Sequence, residues 1–224
     1  MGEHINLNTS GMQCIGAYLA KPAGTPRGGI VVVQEIFGVN AHIRSVADGF
    51  AADGYTAVAP AFFDHVESGV ELRYDPADYK QGFALVGEVG FDRAIEDVAS
   101  AAESIKSAGK IGVVGYCWGG TVALLAALRL GLPAVSYYGG RNVLFLGEAL
   151  KAPVQFHYGE HDPSIPPEAV QKVRDALKDA KGVELYTYPA GHAFNRDIDP
   201  AHYDAASAKL ARERALAFFS RNLG

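Results

Sequence analysis

Two rhythms of apolar residues alternate along this chain. Short continuous runs, rich in β-branched residues, read as strands buried on both faces, the composition of a parallel sheet. Between them lie longer stretches with apolar positions three and four apart, which read as helices with one face on a core. In chain order, Cys14 to Leu19 reads as an early edge strand and Lys21 to Gly29 as a Pro/Gly turn region. Ile30 to Val33 is a buried strand that runs straight into Gln34-Glu35-Ile36-Phe37-Gly38. A helix over roughly Ala41 to Asp53 turns Ile43, Val46, Ala47 and Phe50 to one face, and Gly54 ends it. Tyr55 to Ala59 is the next strand, stopped by Pro60. Phe62 to about Gln81 reads as a long irregular excursion of the kind that covers sites.

Glu88 to Ser107 has helical spacing in Val89, Ile95, Val98, Ala102 and Ile105. A strand at Ile111 to Val114 and a helix at Thr121 to Leu128 follow, joined by Gly115-Tyr116-Cys117-Trp118-Gly119. Pro133 to Tyr138 and Pro153 to Tyr158 are further strands. Pro166-Pro167-Glu168 opens a helix to about Ala180, since proline is tolerated in a first turn. Val183 to Tyr188 is the last strand, and a terminal helix occupies roughly Tyr203 to Arg221. This alternation predicts a doubly wound α/β sheet in a single domain spanning 1–224.

Composition narrows the partners more than the fold. The chain has 224 residues, 49% hydrophobic and 20% charged, which suits one α/β domain with a sizeable core. A formal net charge of −5 without a Lys/Arg cluster argues against nucleic acid and anionic membranes as partners. Met1 to Ser10 lack a basic stretch followed by an apolar run, so no secretory signal is expected. Only Cys14 and Cys117 are present, so neither a disulfide framework nor a metal spacing follows, and a reducing cytoplasm is the expected location. Cys14 is expected to be a small apolar filler. His157 and His161 are four apart, but Gly159 and the strand pattern argue against a helical metal pair. No metal or cofactor is expected.

The five residues around Cys117 carry the chemistry. They fit the nucleophile-elbow pattern G-x-S-x-G with cysteine in the central place. A tight strand-to-helix turn would hold that side chain above the sheet in strained geometry, and the helix N-terminus beneath favours a thiolate. In an open α/β sheet, sites gather at the carboxyl ends of strands. Glu35, Cys117, Asp162 and His192 each follow a predicted strand. The order Cys117, Asp162, His192 is the nucleophile–acid–histidine order of α/β-hydrolases. His192 would be the general base and later the acid, with Asp162 fixing its tautomer.

These stretches resemble the dienelactone hydrolase family of α/β-hydrolases. The resemblance rests on Gln34-Glu35-Ile36-Phe37-Gly38, the Cys117 elbow with Gly120, Tyr137-Tyr138-Gly139, Gly159-Glu160-His161-Asp162 and Ala190-Gly191-His192-Ala193-Phe194-Asn195-Arg196. It implies a cofactor-free hydrolase of small ester or enol-lactone bonds, with dienelactones from aromatic ring cleavage as favoured substrates. Glu35 would hold Cys117 as a neutral thiol at rest, protecting it from oxidation. The backbone amides of Ile36 and Trp118 would form the oxyanion hole. Arg196 would pair with a substrate carboxylate, and Tyr137 and Tyr138 would contact the substrate. The family's second carboxylate-binding arginine has no clean match, leaving Lys80 or Arg73 as substitutes. Trp118 replaces a smaller apolar residue and would reshape the pocket. The rival readings are a general short-chain carboxylesterase, a non-catalytic ligand-binding scaffold and a redox-sensing thiol. A complete triad weighs against the scaffold, and the lack of a resolving cysteine against the sensor.

Overall fold

A computed structural model describes residues 2–9 and 13–224. The N-terminal reading over Met1 to Ser10 therefore lies partly outside the described residues. Contacts gather into two compact units, Met1–Val113 with Leu223–Gly224, and Val114–Asn222.

The first unit holds four strands, β1 (Glu3–Asn8), β2 (Cys14–Ala20), β3 (Gly29–Val33) and β4 (Thr56–Pro60). They lie in the order β1-β2-β4-β3. β3 and β4 are parallel, with Ile30 opposite Ala57, and every residue in both is buried. Their crossover is α1 (Ala41–Ala52), whose first turn is capped by the Asn40 carboxamide accepting from the Ile43 amide. Ile43, Ala47 and Phe50 are its buried face.

Three sequence expectations change here. The segment from Cys14 is not an edge: β1 pairs antiparallel outside it, from Glu3 opposite Leu19 to Asn8 opposite Cys14. β1 went unread because its residues EHINLN bury only Leu7, too weak an alternation to register. Cys14 is exposed rather than a core filler, because it opens β2 beside that solvent-facing strand.

The third change is the long excursion. It contains a 3₁₀ turn (Phe62–His65) and the start of α2 (Pro76–Ser104), so ordered helix begins about a dozen residues earlier than the spacing predicts. Asp75 starts α2 by accepting from the Ala77 and Asp78 amides, and Pro76 takes the position where no amide is needed. Gly90, at φ 69 and ψ 169, breaks the helix into two rods, which hid its first half from a periodicity reading. His65 Nε2 lies 2.9 Å from the Asp97 carboxylate, tying the 3₁₀ turn to the second rod.

The second unit carries the latter half of β5 (Ile111–Tyr116, which the division between units splits after Val113) with β6 (Ala134–Tyr137), β7 (Val154–Gly159) and β8 (Val183–Tyr188), in the order β5-β6-β7-β8. β6, β7 and β8 are parallel, with Tyr137 opposite His157 and Gly159 opposite Tyr188. Around them lie α3 (Trp118–Leu125), α4 (Pro167–Leu177) and α5 (Ala205–Leu223). α3 starts immediately after Cys117, three residues before the expected Thr121, and is buried throughout. No helix among the described residues is long and apolar enough to cross a membrane.

Candidate active site

The turn around Cys117 is as tight as its glycines suggest. A Cβ on Gly115 would fall 1.8 Å from the Gly119 carbonyl oxygen, so only glycine admits this closure. Gly120 is equally confined, with the Tyr137 carbonyl oxygen 2.4 Å from where its Cβ would sit. Cys117 itself is held at φ 55 and ψ −115, a left-handed conformation that a non-glycine residue adopts only under constraint. Its amide donates to the Tyr137 carbonyl at 3.0 Å, which anchors the turn to the end of β6. The half-exposed thiol therefore stands at the first turn of α3, where the helix dipole favours negative charge.

Asp162 and His192 are brought together by the register of β7 and β8. Beyond the Gly159–Tyr188 pair, the Glu160 amide donates to the Tyr188 carbonyl and the His161 amide to the Ala190 carbonyl. A Cβ on Gly159 would lie 2.4 Å from the Ala190 carbonyl oxygen, so the two loops close only because this position lacks one. Within this clasp His192 Nδ1 donates to Asp162 Oδ2 at 2.6 Å. The Asp162 side chain is fully buried, and its other oxygen accepts from the Ser164 amide at 2.8 Å. Nε2 is left to face Cys117, the second hydrogen-bond partner of the ring. Burial opposes charge on the imidazole, but the neighbouring Cys117 and Asp162 outweigh it and hold His192 well above its ordinary pKa of 6.5. Ala193, at φ 60, turns the chain just after His192.

The other sequence candidates fall in varied surroundings. Glu35 follows β3 and is 1% exposed, so it is not a solvated charge at a strand end. Ile36 is likewise buried, with its carbonyl pressed against α2 at Gly82. Trp118 opens α3 and is buried. Tyr137 and Tyr138 belong to the core: the Tyr137 ring stacks on His157 at 4.4 Å, and the Tyr138 ring lies 5.0 Å from His192. Arg196 is 1% exposed, and its guanidinium donates to Asp199 at 2.9 Å. Lys80 is exposed on α2, and Arg73 pairs with Asp75 and Asp78 at the start of that helix. Among the described residues no group of three His, Cys, Asp or Glu side chains could hold a metal ion.

Two features had no sequence signal recognised in advance. One is Gly82, inside a helical stretch where glycine ordinarily weakens the pattern. The other is a buried polar array behind the loops that carry Asp162 and His192. There His157 Nε2 donates to Gln155 Oε1 at 2.8 Å, and its Nδ1 accepts from the Tyr188 hydroxyl at 2.7 Å. The Gln155 amide nitrogen is engaged by Glu184 and by the Arg214 carbonyl, which fixes its oxygen toward the imidazole.

The chain is similar to known proteins along nearly its whole length. Residues 15–223 match the model of the dienelactone hydrolase family. A provisionally named carboxymethylenebutenolidase of Azospirillum brasilense is 37% identical over 217 residues, 93% of this chain and 94% of that one. Carboxymethylenebutenolidase 1 of Cupriavidus pinatubonensis is 31% identical over 209 residues, 90% of this chain and 89% of its own. A crystal structure of a Klebsiella pneumoniae protein, provisionally named a dienelactone hydrolase, superposes with a TM-score of 0.88 at 32% identity and covers 98% of both chains. The architecture is accordingly that of the α/β-hydrolases, a doubly wound and mostly parallel sheet flanked by helices.

Proposed function

The chain belongs to the dienelactone hydrolase family, and from that premise we propose that it is a cysteine-nucleophile hydrolase of small ester or enol-lactone bonds, with carboxylate-bearing dienelactones as its favoured substrates. The observation that carries the reading is the 2.6 Å bond from His192 Nδ1 to the buried Asp162, with Cys117 as the other partner of the same ring. That arrangement supplies a nucleophile, a proton carrier and an orienting carboxylate in one place.

In the proposed cycle the Cys117 sulfur adds to the substrate carbonyl carbon. The carbonyl oxygen becomes an oxyanion, received by the amides of Ile36 and Trp118. Collapse breaks the carbon–oxygen ester bond. The departing alkoxide or enolate takes the proton held on His192 Nε2, and the acyl group remains as a thioester on sulfur. Water then gives a proton to neutral His192 as its oxygen adds to the thioester. The second collapse releases the carboxylic acid and returns sulfur to its starting state. Glu35 is assigned to hold Cys117 as a neutral thiol at rest and to take the thiol proton once substrate displaces its carboxylate, before the sulfur attacks; its burial supports that role. The proposed location is the cytoplasm.

One observation favours the second reading, a general short-chain carboxylesterase. Arg196 is buried and already bonded to Asp199, so it reads a substrate carboxylate only if that pair opens. Turnover of a dienelactone beside that of p-nitrophenyl acetate separates the two readings. Preference for the dienelactone, abolished together with esterase activity by Cys117→Ala or by iodoacetamide labelling of Cys117, is the expected result. Outright preference for the neutral ester leaves the general esterase standing. Full activity in Cys117→Ala removes the cysteine mechanism.

A further inference from the structure

We propose that Gln34 is a positioning residue, which aims and strengthens the Ile36 amide as an oxyanion donor. The inference rests on the hydrolase reading above and concerns how that site is held. Gln34 directly precedes Glu35 at the end of β3 and is fully buried. Its side-chain nitrogen donates to the carbonyl oxygen of Glu35 at 3.3 Å. That carbonyl and the Ile36 N–H belong to one peptide unit. No peptide bond among the described residues is cis, so the two groups point in opposite directions across a rigid plane. Holding the carbonyl from one side therefore aims the N–H to the other. A donor on the carbonyl oxygen also polarises the amide and makes its N–H a better hydrogen-bond donor.

The next peptide is fixed as firmly. A Cβ on Gly82 would stand 2.1 Å from the Ile36 carbonyl oxygen, so α2 lies directly on that peptide. The Phe37 carbonyl accepts from the Leu72 amide at 2.9 Å, and the Phe37 ring meets Tyr74 and Tyr79 edge-on at 4.7 and 4.9 Å. With the following peptides pinned, the Gln34 amide adds a hold on the Glu35–Ile36 plane itself.

Packing alone does not account for Gln34. Its side-chain oxygen is buried with no hydrogen-bond partner among the described residues. A buried amide with one end unmet is worse for stability than an apolar side chain of similar size. The orientation of the carboxamide is settled, because the partner at its nitrogen end is a carbonyl and can only accept. The nitrogen end of the side chain holds the peptide next to Glu35.

Gln34→Leu and Gln34→Met remove the donor and the unmet oxygen together, and Met keeps the length of the side chain. Removing a whole oxyanion donor lowers turnover by about 10²–10³-fold, and misaiming one of two is expected to lower kcat/KM for p-nitrophenyl acetate by roughly 10- to 100-fold. Alkylation of Cys117 by iodoacetamide forms no oxyanion, so its rate should stay within about twofold of wild type. The ratio of oxo-ester to thiono-ester hydrolysis should fall, since a thiocarbonyl sulfur depends less on a hydrogen-bond donor. The melting temperature should hold or rise. Unchanged hydrolysis in both variants overturns the proposal. So does a parallel fall in hydrolysis and alkylation with the oxo-to-thiono ratio preserved, which would mark a general disturbance of the fold. A wild type that turns over no ester overturns the hydrolase reading itself, and is seen before any variant is compared.

Discussion

His157 gives this chain a specific weakness to acid. The imidazole is fully buried in β7, where burial first and the nearby Arg214 charge second push its pKa from 6.5 down to about 3. It is held as the neutral ring, donating from Nε2 to Gln155 and accepting at Nδ1 from Tyr188. Unfolded, the same histidine titrates near its ordinary value of about 6.5. Below that pH the unfolded chain binds a proton that the folded chain refuses, so stability is full above about pH 6.5 and declines as the pH falls toward 3. Within that window each pH unit removes about 1.4 kcal/mol, and the loss from pH 7 to pH 4 comes to about 3 kcal/mol. That is a large part of the ~5–15 kcal/mol by which domains are usually stable. Urea unfolding followed by the fluorescence of the single tryptophan, Trp118, at each pH from 7 to 4 gives the slope. His157→Asn keeps an acceptor for the Tyr188 hydroxyl and does not titrate. Its stability should start lower but fall by about 3 kcal/mol less across the same range. Parallel pH curves for the two proteins would show that His157 is not held neutral, and would refute the reasoning.

Asp162→Asn should cut ester turnover by orders of magnitude with the fold kept, because an amide can select the wrong imidazole tautomer; near-wild-type rates would take Asp162 out of the mechanism. Arg196→Ala should lower kcat/KM for a dienelactone by roughly 30- to several-thousand-fold, the equivalent of about 2–5 kcal/mol, and alter p-nitrophenyl acetate hydrolysis only a few-fold. Equal losses on both substrates would instead assign Arg196 and its Asp199 partner to support of the His192 loop.

Much of the architecture could be read from the chain because each local requirement left a residue type behind. Ile30 to Val33 and Pro153 to Tyr158 are apolar enough to name themselves as buried strands. Gly115 and Gly159 mark places where backbones approach within a distance that no Cβ allows. What stayed hidden depends on contacts between distant segments. The first rod of α2 is interrupted in pattern by Gly82, Gly87 and Gly90, and Gly82 is explained only by the carbonyl of Ile36 beneath it. Arginine is rarely fully buried, so nothing in the spacing from His192 to Arg196 foretold a guanidinium with 1% of its surface exposed. His157 looked like one more residue of an apolar strand, yet its neutrality depends on Gln155, Tyr188 and Arg214, which come from three different elements.

His157 and His192 are perturbed in opposite directions, and the difference bears on the proposed cycle. His157 is buried with neutral partners, so burial dominates and the ring stays uncharged. His192 is also largely buried, but Cys117 and the Asp162 carboxylate act on it together and reverse the outcome. In the proposed cycle, once Cys117 has given up its proton, that high affinity holds on His192 the proton which the leaving group requires. Once the sulfur is acylated it carries no charge, and one of the two attractions on the ring is gone. Asp162 alone then has to offset burial, and the affinity of His192 for a proton drops at the stage where it must be neutral to accept one from water. In the proposed cycle the cysteine would thus couple the protonation of His192 to the covalent state of the nucleophile, with the buried Asp162 orienting the ring in both.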